Sequence, residues 1–200
     1  MRIIGGSARG RRLKAPKGRA LRPTAARVKE ALFNILPHDL SGAKVLDLFA
    51  GTGNVTVEAL SRGAAEAILV DASAESAKTI RENLRRLGLT DRAKVWVAPV
   101  NRALRLLAGR RETFDIIFLD PPYDQRLVEA TLRTVAQGGL LRQTGTLIAE
   151  HSIREEIAPR YNGLELCDQR RYGDTLLSFF RTSGYPVAHR RDAEGTEERE

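Results

Sequence analysis

The tetrapeptide DPPY at positions 120–123 follows an apolar run and groups the residue types of this sequence that best suit chemistry. The Asp120 carboxylate and the backbone carbonyl of Pro121 are two hydrogen-bond acceptors, which match the two N–H bonds of an amino group conjugated to an aromatic ring. The lone pair of such a nitrogen is delocalised, so its attack on an electrophilic methyl group depends mainly on positioning. Pro121 and Pro122 stiffen the turn, and Tyr123 offers an aromatic face for an extruded base. These residues indicate amino-methyl transfer; the alternative is a stiff turn in which Tyr123 packs locally.

A second group of candidate residues surrounds the glycine turn of VLDLFAGTG. Gly51 and Gly53 follow an apolar strand and let the backbone approach a ligand closely. Asp47 precedes this turn, and Asp71 ends the next apolar run, where a carboxylate can accept both ribose hydroxyls of an adenosine ligand or cap a helix. Thr56 stands where a dinucleotide fingerprint has its third glycine, which disfavours a nicotinamide dehydrogenase.

The elements that must position these residues alternate between strand and helix from residue 43 onward. Five apolar runs predict strands: AKVLDLFA, AEAILVDAS, AKVWVAP, TFDIIFLDPPY and GTLIAEH. Four segments between them predict helices: NVTVEALSRG, AESAKTIRENLRRLGL, NRALRLLAG and RLVEATLRTVAQGG. Repeated βα units with nearly continuous apolar strands predict an α/β fold with a parallel sheet that helices cover on both faces.

The segments outside this alternation predict a small extension at each end. RIIGGSARGRRLKAP predicts a hairpin, and RPTAARVKEALFNILP predicts a helix that buries Val28, Leu32 and Ile35 while Arg27 and Lys29 face elsewhere. LELCDQRRYGDTLLSFFRT predicts two antiparallel strands around its Gly-Asp turn.

Three parts of the chain follow from these elements. Residues 1–40 form an N-terminal hairpin and helix extension, residues 41–183 form the main domain, and residues 184–200 form a polar tail that we expect to be disordered.

Positive charge is concentrated at the N-terminus. The net charge is +8, and ten of the 33 Lys and Arg side chains lie in residues 1–29, where there is no Asp or Glu. Such a block suits a polyanionic partner, because each neutralised phosphate releases counterions; the alternative is a solvated tail.

Composition excludes several other classes. No apolar run approaches the roughly 20 residues that span a bilayer, and the basic N-terminus has no apolar segment after it to make a secretory signal. One cysteine and three scattered histidines offer neither a disulfide framework nor a metal site, and they fit a reducing, cytoplasmic compartment.

The turn DLFAGTG, followed by an acid at the end of the next strand, resembles the class I S-adenosylmethionine-dependent methyltransferases. The resemblance implies a Rossmann-like, mostly parallel seven-stranded sheet with an antiparallel C-terminal strand. It assigns the methionine amino group to Asp47, the ribose to Asp71 and the adenine amine to Asn101. The implied cofactor site is Asp47, Phe49, Gly51, Gly53, Asp71 and Asn101.

Five longer segments, in order over residues 1–182, resemble the bacterial family that methylates a guanine at N2 in 16S ribosomal RNA. They are MRIIGGSARGRRL, RPTAARVKEALFNIL, DLFAGTGNVTVEALSRGA, FLDPPY and RRYGDTLLSFFR. The resemblance implies a monomeric enzyme that acts on an assembling small-subunit particle, with arginines of the N-terminal segment on RNA phosphates. The candidates are Arg9, Arg11, Arg12, Arg22 and Arg27. Arg171 and Tyr172 either line the cleft or are surface residues of the terminal hairpin.

Two alternatives remain open. A DNA adenine or cytosine amino-methyltransferase shares this chemistry, although 200 residues show no separate target-recognition domain. A non-catalytic RNA-binding assembly factor with a vestigial cofactor pocket is the other, and the intact glycine turn, Asp71 and DPPY argue against it.

Overall fold

The strands and helices of this chain were located in a computed structural model that describes residues 1–15, 23–122 and 127–184. Within the first helix, side chains are described from residue 26 onward. Arg22, Tyr123 and residues 185–200 of the predicted tail therefore lie outside the described residues.

Strands and helices alternate as the sequence predicts. The strands are β1 Lys44–Leu48, β2 Glu66–Asp71, β3 Ala93–Val97, β4 Phe114–Leu119, β5 Leu141–Ser152, β6 Arg160–Tyr161, β7 Leu164–Tyr172 and β8 Thr175–Thr182. The helices are α1 Pro23–Ile35, α2 Asn54–Ser61, α3 Ala74–Leu87, α4 Val100–Gly109 and α5 Leu127–Gln137.

The described strands form one sheet of eight, in the order β3-β2-β1-β4-β5-β8-β7-β6. The first five are parallel and the last three antiparallel, which confirms the mixed sheet and the C-terminal hairpin. The strand beyond the predicted seven is β6, which has two residues and therefore no readable alternation. The chain runs outward through β2 and β3 and returns to place β4 beside β1. Ligands of open α/β sheets bind outside the carboxyl ends of strands at such a switch point.

Two hydrophobic cores lie on the two faces of the sheet. One joins α1, α2, α3 and the segment 1–15 to the sheet, and the other lies under α4 and α5. Strand β1 serves both, because Val45 faces the first core and Leu46 the second. Burial on both faces explains why the parallel strands are continuously apolar.

The buried face of α1 differs from the one that the sequence predicted. Val28 and Leu32 are buried as expected, but Ile35 is 37% exposed, while Leu36 is 7% and Lys29 is 5% exposed. The buried side of the helix includes positions 29 and 36, and Ile35 lies at the boundary between this side and the exposed side. Lys29 tolerates burial because its ammonium is paired, as described below.

Residues 1–15, hereafter the N-terminal loop, form the predicted hairpin in a minimal form. An antiparallel bridge joins Arg2 and Arg12, and the Leu13 N–H donates to the Met1 carbonyl at 3.0 Å. Ile3 and Leu13 belong to the same core as α1, α2 and α3. The extension and the main domain distinguished in the sequence thus share one hydrophobic core.

Candidate active site

The glycine turn after β1 is tight and rests directly on β2. The Gly51 N–H donates to Asp71 Oδ2 at 2.8 Å. Phe49, Gly51 and Gly53 have φ of 64°, 57° and 73°, in the left-handed region that favours glycine. A Cβ on Gly53 would lie 3.2 Å from Leu69 Cδ2, whereas one on Gly51 would meet only the Phe49 carbonyl oxygen, at 3.9 Å. The turn is closed toward the core at Gly53 and open at Gly51, where a ligand can approach the backbone.

Asp71, the last residue of β2, is half-buried and braces this turn. Its Oδ1 accepts the Ser73 N–H at 2.8 Å while its Oδ2 holds Gly51. The cap of α3 is Ser73, whose hydroxyl accepts the Ser76 N–H at 3.2 Å, so Asp71 is not the helix cap. Each carboxylate oxygen keeps a further lone pair that can accept a ligand hydroxyl.

Asp47 lies beneath the turn and is 2% exposed. The pKa of its carboxyl is raised to about 7, mainly by burial and to a smaller extent by the nearby Asp120 and Asp71 carboxylates, while the hydrogen bonds from Thr56 oppose the shift. The Thr56 hydroxyl donates to Asp47 Oδ2 at 2.6 Å. Three carboxylates therefore interact at the ends of β1, β2 and β4. That arrangement favours a cationic ligand, such as one that carries a sulfonium and an ammonium group.

Asp120 follows β4 at the edge where the glycine turn lies. Its N–H donates to the Leu48 carbonyl at 3.4 Å, which fixes it against the end of β1. Asp120 is exposed, Pro121 is buried and Pro122 is exposed. The carboxylate and the rigid Pro121 backbone thus sit together at the β1–β4 switch point, while Tyr123 lies outside the described residues.

Asn101, the second residue of α4, lies at the same edge and is exposed. The loop before it is joined to the cofactor candidates, because the Ala98 N–H donates to the Asp71 carbonyl at 3.1 Å.

A buried ionic cluster that the sequence reading missed fixes the N-terminal loop to α2. The Glu58 carboxylate, fully buried, accepts the Ile4 N–H at 2.9 Å and the Gly5 N–H at 2.7 Å. Lys29 Nζ lies 3.2 Å from one carboxylate oxygen and Arg62 Nε 3.1 Å from the other. Burial lowers the pKa of Lys29, and the neighbouring Glu58 opposes that shift. The sequence feature that could have indicated this cluster is Glu58, a single acid within the otherwise mostly apolar helix segment NVTVEALS.

Two side chains, Lys29 and Asn83, link the loop to the glycine turn, and Lys29 Nζ donates to the Arg2 carbonyl at 2.7 Å. Lys29 Nζ also donates to Asn54 Oδ1 at 3.0 Å, at the start of α2. Asn83 of α3 holds both backbone groups of Lys14, at 2.8 and 3.1 Å, and donates to the Thr52 carbonyl at 3.3 Å. The same side chains, Lys29 and Asn83, therefore hold both the N-terminal loop and the candidate cofactor turn or its adjoining helix start.

The described candidates for RNA contact are exposed. Arg9, Arg11 and Arg12 lie on the N-terminal loop, and Arg27 lies on the first turns of α1. A guanidinium nitrogen of Arg11 donates to the Arg86 carbonyl on α3. Arg22 lies outside the described residues.

Arg171 and Tyr172 end β7. Arg171 is exposed and its Nε donates to the Gly173 carbonyl at 2.9 Å, whereas Tyr172 is half-buried and packs against the core under α1. The register β7–β8–β5–β4 brings both to the edge that holds Asp120.

Two kinds of feature, a membrane-spanning helix and a metal-binding group of side chains, are not found among the described residues. None of their helices has both the length and the apolar character needed to cross a membrane. Nor do they bring three or more His, Cys, Asp or Glu side chains into a group that could hold a metal ion.

Three features together define an S-adenosylmethionine-dependent methyltransferase of class I. They are the doubly wound sheet, the glycine turn braced by an acid on the next strand, and the acid–proline pair at the β1–β4 switch point. Within that class, the chain belongs to the family described as conserved hypothetical protein 95, which matches residues 1–181.

Named relatives and solved structures agree with this family. YlbH of Bacillus subtilis (strain 168), described as a candidate rRNA methyltransferase, is 38% identical over 184 residues, 92% of this chain and 100% of that protein. Ribosomal RNA small subunit methyltransferase D of Escherichia coli (strain K12) is 36% identical over 153 residues, 76% of this chain and 75% of that protein. The structure of the candidate methyltransferase yhhF from Escherichia coli has a TM-score of 0.78 at 32% identity, covering 91% of this chain and 97% of that one.

Proposed function

We propose that this chain transfers a methyl group from S-adenosylmethionine to the exocyclic N2 amine of a guanine in 16S ribosomal RNA. The observation that carries the proposal is the placement of Asp120 and Pro121 beside the acid-lined glycine turn at the β1–β4 switch point. The relatives named as ribosomal RNA small subunit methyltransferases support the RNA substrate. The chain acts as a monomer in the cytoplasm, on an assembling small-subunit particle.

The cofactor residues divide into groups that contact the ligand and groups that support them. Gly51 and Gly53 bring the backbone close to the methionine part, beside Phe49. Asp71 accepts the ribose hydroxyls with its remaining lone pairs. Asn101 lies near the adenine amine. Asp47, buried under the turn, contributes negative potential toward the amino group in its deprotonated form, which a bound cation stabilises.

S-adenosylmethionine supplies a methyl group that is already activated on a sulfonium. The chain therefore has to hold the guanine amine in line with that methyl. The Asp120 carboxylate accepts one N–H and the Pro121 carbonyl the other, which favours a lone pair aimed out of the ring plane. The prolines hold these acceptors in place before the substrate arrives, and Tyr123 stacks on the extruded base. As the N–C bond forms and the bond between the methyl group and the sulfonium breaks, the nitrogen becomes acidic and would release its proton to Asp120 or to water, and the spent cofactor would leave as a neutral thioether.

The N-terminal loop positions the RNA rather than reading its sequence. Arg9, Arg11, Arg12, Arg22 and Arg27 supply guanidinium groups for backbone phosphates. The buried Glu58 cluster holds most of them in a fixed relation to the glycine turn, which supports simultaneous RNA and cofactor binding.

A methyl-transfer assay with labelled S-adenosylmethionine tests the proposal. Naked 16S rRNA, immature small-subunit particles and duplex DNA are offered in parallel, and the labelled nucleoside is identified. We expect N2-methylguanosine in the rRNA, with the particle arm revealing the preferred substrate. Label found only in DNA would replace this proposal with a DNA amino-methyltransferase, and absence of both label and cofactor binding would replace it with an assembly factor.

A further inference from the structure

Helix α3 carries a second group of exposed cations that lies against the N-terminal loop. Lys78, Arg81, Arg85 and Arg86 are all exposed on this helix. The helix buries its apolar side, including Ile80 and Leu84, in the core, so these cations project from its outer surface.

Direct contacts make this helix surface continuous with the N-terminal loop. Arg11 of the loop donates to the Arg86 carbonyl, and Lys14 forms an ion pair with Glu82. Asn83 holds the backbone of Lys14 from the same helix. The exposed cations of the loop and of α3 therefore belong to one surface.

The charge on this surface is strongly positive. The exposed or half-exposed acids of α3 are Glu75 and Glu82, and Glu82 is already paired with Lys14. Four exposed cations on the helix and those of the N-terminal loop outnumber them. A groove of about 210 Å³ between α3 and β3 is lined by Arg81 and Arg85, and Arg81 is held there by a hydrogen bond to the Val95 carbonyl at 3.1 Å.

The surface extends far from the reacting atoms. Helix α3 begins next to Asp71, at the candidate cofactor edge, and has 14 residues. At 1.5 Å per residue, its last turn lies roughly 20 Å from that edge. Arg85 and Arg86 therefore cannot touch the target nucleotide, and they can contact only nucleotides that flank it at a distance.

We propose that Arg81, Arg85 and Arg86 of α3 extend the RNA-binding surface of the N-terminal loop and hold the phosphate backbone of a folded segment flanking the target guanine. This inference rests on the proposed function, and it specifies which part of the RNA the protein contacts outside the target nucleotide. Folded RNA is recognised largely by shape and phosphate contacts, which an array of guanidinium groups on a rigid helix provides. The competing role of Arg85 and Arg86 is to complement the dipole at the C-terminus of α3.

The test compares two double variants of the full chain with the wild type. Arg85→Gln with Arg86→Gln removes two cations from the α3 surface. Arg105→Gln with Arg160→Gln removes two exposed cations from α4 and β6, away from that surface. Binding to naked 16S rRNA is measured from 50 to 300 mM salt, together with S-adenosylmethionine affinity and the free energy of unfolding.

We expect the α3 variant to bind 16S rRNA roughly 10- to 30-fold more weakly at 0.1 M salt, with a salt slope smaller by about 1.4, or about 0.7 per lost phosphate contact. S-adenosylmethionine affinity should not change, and the control variant should match the wild type. An α3 variant with wild-type affinity and slope, or with reduced stability only, overturns the inference while leaving the proposed function intact. A wild type that neither binds nor methylates 16S rRNA, whether naked or in immature small-subunit particles, removes the proposed function itself.

Discussion

Asp120 is held against the end of β1 by a backbone hydrogen bond to the Leu48 carbonyl. In the proposed mechanism its carboxylate contacts the substrate amine. Asp120→Ala should lower kcat by roughly 10²- to 10³-fold, because one of two prepositioned acceptors is lost. Calorimetry should find S-adenosylmethionine affinity close to that of the wild type. Unchanged turnover would exclude the proposed role of the carboxylate.

Asp47 should make stability depend on pH in the opposite sense to most acids. Its folded pKa is raised to about 7 from 3.8, so the folded state holds a proton that the unfolded state has released. The resulting stabilisation is complete below about pH 4 and is lost as pH rises through 7, at a total on the order of 4 kcal/mol. Urea denaturation at pH 5 and pH 7 should therefore show wild type losing roughly 2 kcal/mol more than Asp47→Asn. Parallel pH profiles for the two proteins would contradict the raised pKa.

Among the structural elements, the N-terminal loop depends on a close approach to α2. Gly6 has φ of 72°, and a Cβ there would lie 1.8 Å from the Ser61 carbonyl oxygen, a collision with backbone. Gly10 has φ of 83°, and a Cβ there meets nothing within 4 Å. Both substitutions by Ala carry the left-handed backbone strain of about 1–2 kcal/mol. Only one of them displaces the loop.

Gly6→Ala should therefore cost at least about 2 kcal/mol more in the free energy of unfolding than Gly10→Ala. It should also weaken binding to 16S rRNA, whereas Gly10→Ala should bind RNA as the wild type does once folded. Equal losses in the two variants, measured by urea denaturation, would mean that the contact with Ser61 does not hold the loop.

The sequence predicted the parallel strands well because burial on both faces makes each an apolar run. It predicted β5 from residue 145, whereas the strand begins at Leu141, because the three residues that follow Leu141 are polar and exposed. The proximity of Asp47, Asp71 and Asp120 could be predicted, because each lies at or beside the carboxyl end of a strand and such ends meet at one edge. The burial of Asp47 and the pairing of Lys29 with Glu58 could not, because these depend on residues distant in sequence, as does the exposure of Ile35.

Among the described residues, the sign of the charge differs between the candidate cofactor edge and the surface that we propose for RNA. The cofactor edge is acidic, while the N-terminal loop and the exposed side of α3 are basic, and the supports described above hold them in one rigid relation. RNA affinity should fall steeply with salt, since it depends on phosphate contacts, and cofactor affinity should not.

Arg11→Gln with Arg12→Gln tests this separation. We expect weaker binding to 16S rRNA and a salt slope smaller by about 1.4, with S-adenosylmethionine affinity unchanged. Fluorescence anisotropy and calorimetry supply the two measurements, and Arg105→Gln with Arg160→Gln is the control for general charge loss. If the variant instead lost S-adenosylmethionine affinity, the loop would belong to the cofactor site and not to an RNA-binding surface.

The attachment of the N-terminal loop also sets an order in time during synthesis. Gly5 cannot form its hydrogen bond until Glu58, 53 residues later, has been synthesised. Lys14 likewise requires Asn83, which is 69 residues later. At about 5–20 residues per second, the last of these partners is made roughly 3–14 s after the loop itself. The glycine turn and Asp71 precede Asn83 in the chain, so they are synthesised before the last of these contacts can form. Residues 1–15 thus reach the last of these contacts only after β1, β2 and most of α3 have been synthesised.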